Sequence, residues 1–175
     1  MQFTIRPVQP GDGKGINALR RMPGVFENIL GIPSERVQFS EEFVQSTNRS
    51  SHQFVAVTED EAGGERIIGT AGLSVYDNPR TRHTGGVGVM VHAGHQHQGV
   101  GTRLMEALLD IADNWLMLVR VELTVFVDNA GAITLYEKLG FVIEGTKRAA
   151  AIRGGRYMDE YMMARIRHLP DAKGE

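Results

Sequence analysis

Residues 85–115 read GGVGVMVHAGHQHQGVGTRLMEALLDIADNW, and the hydrophobic period changes within this stretch. Its first part, 85–91, has valine at every second position, which is the two-residue period of a β-strand. From Val100 onward, apolar residues recur every three or four positions, as on one face of an amphipathic helix. The stretch therefore predicts a strand, a glycine-rich turn, and a long helix that begins near Gly99. The apolar positions of the predicted helix are Val100, Leu104, Ala107, Leu108, Ile111 and Trp115.

The turn at residues 96–102 is the first candidate for a ligand site. At the start of a helix the backbone N–H groups lack an acceptor and the helix dipole is positive, so the turn suits an anion. Gly99 and Gly101 carry no Cβ that would keep a diphosphate away from the main chain, and Thr102 adds a hydroxyl donor. A tight strand-to-helix connection without any ligand explains the glycines equally well at this point.

Two familiar phosphate loops do not match this turn. The Walker loop requires lysine followed by serine or threonine at the start of the helix, and this turn has no lysine. The dinucleotide fingerprint requires a small residue three positions after its second glycine, and Leu104 occupies that position. A phosphate loop of another class is therefore needed.

A second informative block, residues 129–141, reads NAGAITLYEKLGF. Its helical spacing predicts a short helix over 130–138 that follows a strand at 121–127. Asn129 is a good N-cap for this helix, and Gly140 is a typical left-handed stop.

The remaining elements surround these two blocks. A helix that Asp12 can cap is expected to end before Pro23, and a second helix is expected over 34–46. The second helix is expected to use Val37, Phe43 and Val44 as apolar contacts. The pattern of strands alternating with helices predicts a mixed α/β fold. Further strands are expected at residues 3–8, 54–57, 67–75, 141–145 and 157–166.

Composition restricts the classes of function. The 175 residues carry a formal net charge of −2, which lacks the basic footprint of a protein that binds nucleic acid. The absence of cysteine excludes a disulfide framework, a thiolate zinc site and a cysteine nucleophile. No apolar run is long enough for a membrane span, so neither nucleic acid nor membrane is an expected partner and a cytoplasmic location is expected. We expect one domain over residues 1–175.

The two blocks together resemble the GNAT superfamily of acyl-CoA-dependent N-acetyltransferases. The central motif of that family is Arg/Gln-x-x-Gly-x-Gly/Ala after a strand, and Gln96, Gly99 and Gly101 satisfy it. The block that runs from Asn129 to Phe141 is similar to the family signature Asn-x-x-Ala-x-x-x-Tyr-x-x-x-Gly-Phe. The resemblance is closest to the bacterial branch that includes free amino-acid acetyltransferases.

The resemblance implies a fold, a co-substrate and a set of site residues. The implied fold is the α/β GNAT fold, a central and mostly antiparallel sheet with a splayed pair of strands, flanked by helices on both faces. Acetyl-CoA is the implied co-substrate, and Tyr136 is the implied general acid for the departing thiolate. Asn129 is implied as a hydrogen-bond partner of the pantetheine arm. The other implied cofactor-binding residues are Val89, Met90, Val91, Gln96, His97, Gln98, Gly99, Val100, Gly101 and Thr102.

The residue that takes the proton from the amine is not assigned. Many family members carry a glutamate on the strand equivalent to residues 85–91, whereas this chain has glycine, valine and methionine there. Glu27, His83 and Glu122 are candidate bases. An α-amine with a pKa of about 8 needs a base less than an alkylamine with a pKa of about 10.4, so the missing carboxylate favours an α-amino acceptor.

The segment 24–33 has the composition of an irregular loop. In the family the equivalent loop covers the acceptor site, so Phe26, Glu27 and Asn28, together with His83, are candidate substrate residues. Packing under a loop explains the segment equally well. The histidines at 92, 95 and 97 have no neighbouring cysteine or carboxylate in the sequence, so no metal site is expected.

The function that these patterns predict is N-acetyl transfer from acetyl-CoA to a small primary amine. The α-amino group of a free amino acid is the favoured acceptor, and transfer is direct. Two alternatives stay open, a protein or peptide N-acetyltransferase and a non-catalytic GNAT-like module that binds acyl-CoA. Family members often pair through sheet edges or helices, so a homodimer also stays open.

Overall fold

The computed structural model describes residues 2–46, 48–61 and 63–167. The chain divides into two compact units. The first unit comprises the chain up to Leu73 together with Gly88–Leu109. The second unit comprises Ser74–Val87 and the chain from Asp110 onward.

Seven strands and four α-helices are formed by the described residues. Neighbouring strands are hydrogen-bonded in the order β1-β2-β3-β4-β5-β7-β6. The strands are β1 Thr4–Pro7, β2 Ser51–Glu59, β3 Glu65–Val75, β4 Thr84–Val91, β5 Arg120–Phe126, β6 Val142–Arg153 and β7 Arg156–Ile166. The helices are α1 Gly13–Arg20, α2 Val37–Gln45, α3 Val100–Asp110 and α4 Ala130–Lys138.

The first unit buries apolar side chains of its helices against its strands. Ile16 of α1 and Val44 of α2 form a buried cluster with Val55 and Val57 of β2. The strand β1 pairs antiparallel with β2. The two helices approach closely at Gly13, where an added Cβ would lie only 2.7 Å from the Cα of Glu41.

The helix α3 packs on the same unit through the apolar face that the sequence predicts. Val100, Leu104 and Leu108 are at most 1% exposed. A Cβ on Gly69 of β3 would lie 2.9 Å from the Leu104 side chain and 3.1 Å from the carbonyl of Met90. Helix and strand are therefore in direct contact at Gly69, where only a hydrogen fits.

In the second unit, β7 pairs antiparallel with both β5 and β6. The register between β6 and β7 shifts between Lys147 and Ala151. Within this bulge Ala149 has a φ of 50°, and its N–H donates to the Asp159 carboxylate at 2.8 Å. Pairing with β7 resumes after the bulge at Ala151, so β6 extends well beyond the predicted strand at 141–145.

The strands β4 and β5 form a parallel pair that covers only part of each strand. The paired positions are Thr84–Gly86 and Arg120–Glu122. The strand β4 continues to Val91 and β5 continues to Phe126. Because β1 and β2, β5 and β7, and β6 and β7 pair antiparallel, this parallel pair makes the sheet a mixed one.

Three predictions about the helices of the first unit are wrong. The second helix begins at Val37 rather than at residue 34, and the Phe43 ring is 49% exposed instead of buried. Asp12 precedes α1 but its side chain makes no cap hydrogen bond. The Asp12 carboxylate instead accepts hydrogen bonds from the Gln9 N–H at 2.7 Å and from the Arg6 guanidinium at 2.8 Å.

The predicted long helix changes its winding at its C-terminal end. After Asp110 the chain continues as a π-helical turn, Ile111–Trp115. The wider turn shifts the helix phase by about one residue, so that Ala112 is buried and the Trp115 indole is 75% exposed. The expectation that Trp115 lies on the apolar face is therefore wrong.

Candidate active site

The helix-entry loop, residues 92–99, leads from β4 into α3 within the first unit. The His92 N–H donates to the carbonyl of Ile68 in β3 at 2.9 Å. A short 3-10 turn, Ala93–His95, follows, and Val100 opens the helix. The loop thus begins and ends on regular elements that fix its path.

Two residues of this loop have left-handed backbone conformations. His97 has a φ of 59° and Gly99 has a φ of 85°. The position that a Cβ of Gly99 would occupy has no other atom within 4 Å, so the main chain is open to an approaching group there. The Gly99 carbonyl accepts the N–H of Arg103 at 3.0 Å. The N–H groups of the first helical turn, which come before Arg103 in the chain, have no acceptor within the helix.

The glutamine side chains of the loop are used to hold its shape. The Gln96 amide donates to the carbonyl of Val91 at 3.2 Å, and the Gln98 amide donates to the carbonyl of Gly94 at 3.0 Å. Both contacts tie the second half of the loop to its first half. The two glutamine side chains therefore help to fix the path of the main chain in this loop.

A pair of histidines supports the start of the loop. The His92 and His95 rings meet edge to face, with centroids 4.6 Å apart. The Arg66 guanidinium lies 2.7 Å from His92 Nε2, and the Gly94 N–H donates to His92 Nδ1 at 3.1 Å. Burial and the Arg66 charge hold the pKa of His92 below its ordinary value. In the part of the chain that the structure describes, no three His, Cys, Asp or Glu side chains converge as metal ligands do.

The candidate substrate residues of the first unit lie in the α1–α2 loop, residues 21–36. Phe26, Glu27 and Asn28 form a short 3-10 turn in which the Phe26 ring is half-buried and the other two side chains are exposed. The Glu27 carboxylate accepts the N–H of Gly24 at 2.7 Å.

The α1–α2 loop touches the helix-entry loop. Gly24 has a φ of 84°, and a Cβ on it would lie 3.2 Å from the Cβ of Ala93. The structure thereby brings the candidate substrate loop beside the candidate cofactor loop within one unit. Sequence reasoning missed this contact because residues 24 and 93 are far apart in the chain and neither has a distinctive side chain.

The other cofactor-binding candidates of the first unit flank the helix-entry loop. Val89, Met90 and Val91 end β4, and their side chains are half-buried. Val100 is fully buried, while Gly101 and Thr102 are half-buried in the first turn of α3.

Tyr136 lies in the second unit, on the buried face of α4. Its side chain is 5% exposed and its ring centroid is 5.9 Å from that of Phe141. Burial raises the pKa of the Tyr136 phenol to about 12. The phenol therefore keeps its proton throughout the pH range in which proteins are assayed.

Asn129 is the N-cap of α4, as the sequence predicts. Its side-chain oxygen accepts the N–H of Ala132 at 3.3 Å, and its own N–H donates to the carbonyl of Phe126 at 3.0 Å. The cap occupies the oxygen of the side chain, so its amide nitrogen keeps its two donors for another partner.

The two candidate bases of the second unit differ in their surroundings. His83 is exposed, and its carbonyl accepts the N–H groups of Val119 and Arg120. The Glu122 carboxylate accepts hydrogen bonds from the Tyr76 hydroxyl and from Arg120 Nε, both at 2.6 Å. Burial acts to raise the pKa of Glu122, but these hydrogen bonds outweigh it and the pKa lies below its ordinary value. Glu122 is therefore a fixed negative charge and a weak base.

Tyr76 is a further polar residue that the sequence did not single out. Its contact with Glu122 joins residues 46 positions apart, and the hydrogen bond raises the pKa of Tyr76 to about 12.

No helix of the described residues has the length and apolar character needed to cross a membrane.

Comparison with known proteins gives consistent matches. Residues 23–141 match the model of the Acetyltransferase (GNAT) family. The L-amino acid N-acetyltransferase AaaT of Escherichia coli K12 is 34% identical over 166 residues, which cover 95% of this chain and 99% of the relative.

Two solved structures share the fold. Spermidine N-acetyltransferase from Vibrio cholerae, in complex with CoA and spermine, has a TM-score of 0.78 at 26% identity, covering 94% of this chain and 95% of that one. The structure of yncA from Salmonella typhimurium with its cofactor acetyl-CoA has a TM-score of 0.77 at 21% identity, covering 98% and 99% of the two chains. The predicted fold, the acetyltransferase class and acetyl-CoA as co-substrate are confirmed. The chain belongs to the acetyltransferase (GNAT) family.

Proposed function

We propose that this enzyme transfers the acetyl group of acetyl-CoA directly to the α-amino group of a free amino acid. The E. coli relative, an L-amino acid N-acetyltransferase, supports this acceptor because its similarity extends over 95% of the chain. The observation that carries the proposal is the helix-entry loop, where Gly99 leaves the main chain open at the start of α3. An open, positively polarised helix start is the feature that a diphosphate needs.

In this proposal the main chain binds the co-substrate. The N–H groups of residues 96–102 bind the diphosphate, and Gln96 and Gln98 keep the loop in shape through their side-chain amides. The main chain of Val89, Met90 and Val91 pairs with the pantetheine arm and polarises the thioester carbonyl. A preorganised donor to such an oxyanion contributes about 3 kcal/mol. The side-chain nitrogen of Asn129 donates a further hydrogen bond to the pantetheine.

The chemical step is attack of the neutral amine on the thioester carbonyl. The C–N bond forms, the C–S bond breaks, and Tyr136 gives its proton to the departing thiolate. The acylated nitrogen loses one proton to water, which leaves the neutral amide. A positioned general acid contributes roughly 10²–10⁴-fold in rate. Water then returns a proton to the phenolate, because burial makes the ionised form of Tyr136 unfavourable.

The proposed site has no assigned strong base that would remove a proton from the amine. The low pKa of Glu122 argues against it as a proton acceptor. The α-amine of a free amino acid is less basic than an alkylamine with a pKa of about 10.4, which is neutral in less than about 0.1% of molecules at pH 7, so a larger fraction of the α-amine is neutral. The chain therefore suits an α-amine better than a polyamine. Phe26, Glu27, Asn28 and His83 are the proposed contacts of the acceptor.

The test is release of free coenzyme A from acetyl-CoA in the presence of single amines. We expect release with one or more L-amino acids, and much less with spermidine or with a peptide. Faster release with spermidine would assign the enzyme to polyamines, as in the Vibrio cholerae relative. No release with any amine, together with tight binding of acetyl-CoA, would favour a non-catalytic module.

The proposal includes the domain organisation, location and oligomeric state of the enzyme. The family match includes residues of both compact units, which supports one acetyltransferase domain over residues 1–175. The cytoplasmic location and the homodimer stay predictions. Light scattering on the purified protein tests the homodimer by its mass.

A further inference from the structure

The α1–α2 loop is closed at its base by an ion pair. Arg20, the last residue of α1, donates from Nε to Glu35 Oε1 at 2.9 Å and from Nη2 to Glu35 Oε2 at 3.1 Å. The side chains are 28% and 19% exposed, so the pair is partly shielded from solvent. A two-point contact between a planar guanidinium and a carboxylate fixes direction as well as distance.

A second contact holds the same end of the loop. Arg21 donates from Nη1 to the main-chain carbonyl of Glu35 at 3.0 Å. Two consecutive residues at the end of α1 therefore grip both the side chain and the main chain of Glu35. The loop is closed just before α2 begins at Val37.

The Glu35 carboxylate and the Phe26 ring both lie close to Gly31. A Cβ on Gly31 would lie 3.2 Å from Glu35 Oε2, 3.4 Å from the Ile29 side chain and 3.5 Å from the Phe26 ring. The ion pair and one candidate acceptor residue are therefore neighbours of the same glycine.

The far side of the loop is anchored to the helix-entry loop. Gly24 packs against Ala93, and the neighbouring Val25 is only 4% exposed. The α1–α2 loop is therefore held at two places, at its base by Arg20 and Glu35 and at its other side by Gly24. The segment between them carries Phe26, Glu27 and Asn28.

We propose that Arg20 and Glu35 are positioning residues for the acceptor amine. Their ion pair holds residues 24–33 in the conformation that receives the amine beside Ala93, before the amine arrives. A preordered loop does not lose conformational freedom when the ligand binds, so the affinity for the amine is higher. This inference rests on the proposed function, because it takes the α1–α2 loop as part of the acceptor site.

The test compares Arg20→Ala and Glu35→Gln with a matched control in the same unit. The control is Arg6→Ala, since Arg6 makes a two-point contact with Asp12 at 2.8 and 3.0 Å, before the start of α1, and also donates to Glu65. We expect the two loop variants to raise the KM of the amino acid at least tenfold. Their kcat is expected to change less than threefold, and their Kd for acetyl-CoA less than twofold. The control is expected to change the amine KM less than twofold.

A charge exchange separates the ion pair from general destabilisation. The double variant Arg20→Glu with Glu35→Arg is expected to return the amine KM to within threefold of the starting enzyme, because it restores opposite charges at the same positions. If the loop variants and Arg6→Ala raise the KM equally, or if the folded double variant shows no recovery, the proposal is overturned.

A measurement without turnover distinguishes failure of this inference from failure of the proposed function. Amide hydrogen exchange over residues 24–33 is expected to be at least tenfold faster in Arg20→Ala than in the starting protein, with α3 unchanged. Unchanged exchange in the loop overturns the positioning role even if the enzyme acetylates amino acids. Faster exchange in a protein that releases no coenzyme A would instead reject the proposed function.

Discussion

Tyr136 is defined by its burial. The side chain is 5% exposed and its ring packs against Phe141. Burial raises the pKa of its phenol to about 12. A phenol with this pKa remains protonated at neutral pH and is available to protonate a thiolate. The same burial explains why the residue cannot be identified by chemistry in the sequence alone, since a buried tyrosine is also a common packing residue.

The first prediction concerns this hydroxyl. We expect Tyr136→Phe to lower kcat at least tenfold, because a positioned proton donor contributes roughly 10²–10⁴-fold. The Kd for acetyl-CoA should change less than twofold, since the ring and its packing are kept. Steady-state kinetics and calorimetric titration measure the two quantities. Tyr157→Phe, at a side chain that is 77% exposed, is the control. Unchanged turnover in Tyr136→Phe would remove the general-acid role.

Two predicted helix N-caps, at Asn129 and Asp12, show when a residue type alone predicts a cap correctly. Asn129 and Asp12 both precede a helix, and both residue types favour the N-cap. Asn129 caps α4, but the Asp12 carboxylate is taken by Arg6 and by the N–H of Gln9. The local rule is correct where no stronger partner is near, and it fails where a guanidinium brought close by the fold competes.

At the scale of elements, the helix-entry loop depends on a left-handed glycine. Gly99 and Gly155 both have positive φ, at 85° and 76°, and a Cβ on either would meet no atom within 4 Å. An alanine at each position should therefore strain the main chain by a similar amount, about 1 kcal/mol. The two glycines differ in that only Gly99 directly precedes a helix, α3, at the proposed diphosphate site.

The second prediction uses this matched pair. We expect Gly99→Ala to weaken acetyl-CoA binding at least tenfold, because the added Cβ and the backbone strain oppose the approach of the diphosphate. Gly155→Ala should leave the Kd within twofold. Calorimetric titration of both variants with acetyl-CoA gives the comparison. Equal affinities in the two variants would contradict the assignment of the diphosphate to this loop.

The π-helical turn Ile111–Trp115 is held by charged contacts. Asp113 accepts two hydrogen bonds from Arg165, at 2.9 and 2.7 Å, and its carbonyl accepts one from Arg167 at 2.5 Å. The Arg165 guanidinium lowers the pKa of Asp113 below its ordinary value of 3.8. A carboxyl group with a lowered folded-state pKa stabilises the fold above the unfolded-state pKa and loses this contribution as the pH falls through the folded-state value.

The third prediction follows from the direction in which Asp113 changes stability with pH. We expect Asp113→Asn to cost about 1–2 kcal/mol at pH 7, because a charge-assisted contact of Arg165 is lost. The corresponding drop in Tm is about 3–6 °C. The difference from the starting protein should shrink as the pH falls below the ordinary value of 3.8 and then through the lowered folded-state pKa, where Asp113 itself becomes protonated. Thermal unfolding at pH 7 and pH 3 measures it, with the exposed Asp110→Asn as control. A constant difference at both pH values would refute the electrostatic explanation.

At the scale of the whole molecule, the catalytic cycle should respond to pH through the amine. A fourth prediction is that kcat/KM for the amino acid rises about tenfold per pH unit below the pKa of its amine, because only the neutral amine attacks. It should level off above that pKa and stay level to about pH 10, since Tyr136 keeps its proton up to about pH 12. Rates from pH 6 to pH 10 test this. A falling limb near pH 8 or 9 would indicate an acid other than Tyr136.

The sequence by itself determined the elements and the family, because both depend on local patterns. The change of period at residues 85–115 predicts β4, the turn and α3, and the block at residues 129–141 predicts α4 with its cap at Asn129 and its stop at Gly140. These features depend on residues within a few positions of one another, so short-range spacing is sufficient to specify them.

Only the tertiary structure decided which residues meet. The contact of Gly24 with Ala93, the Arg20–Glu35 pair, and the hydrogen bond of Tyr76 with Glu122 all join different elements. The exposure of Trp115 likewise depends on one π-helical turn, which is held by Arg165 of β7 and by Arg167 just after it. Contacts of this kind depend on packing between segments that are far apart in the chain, and a local hydrophobic period carries no information about them.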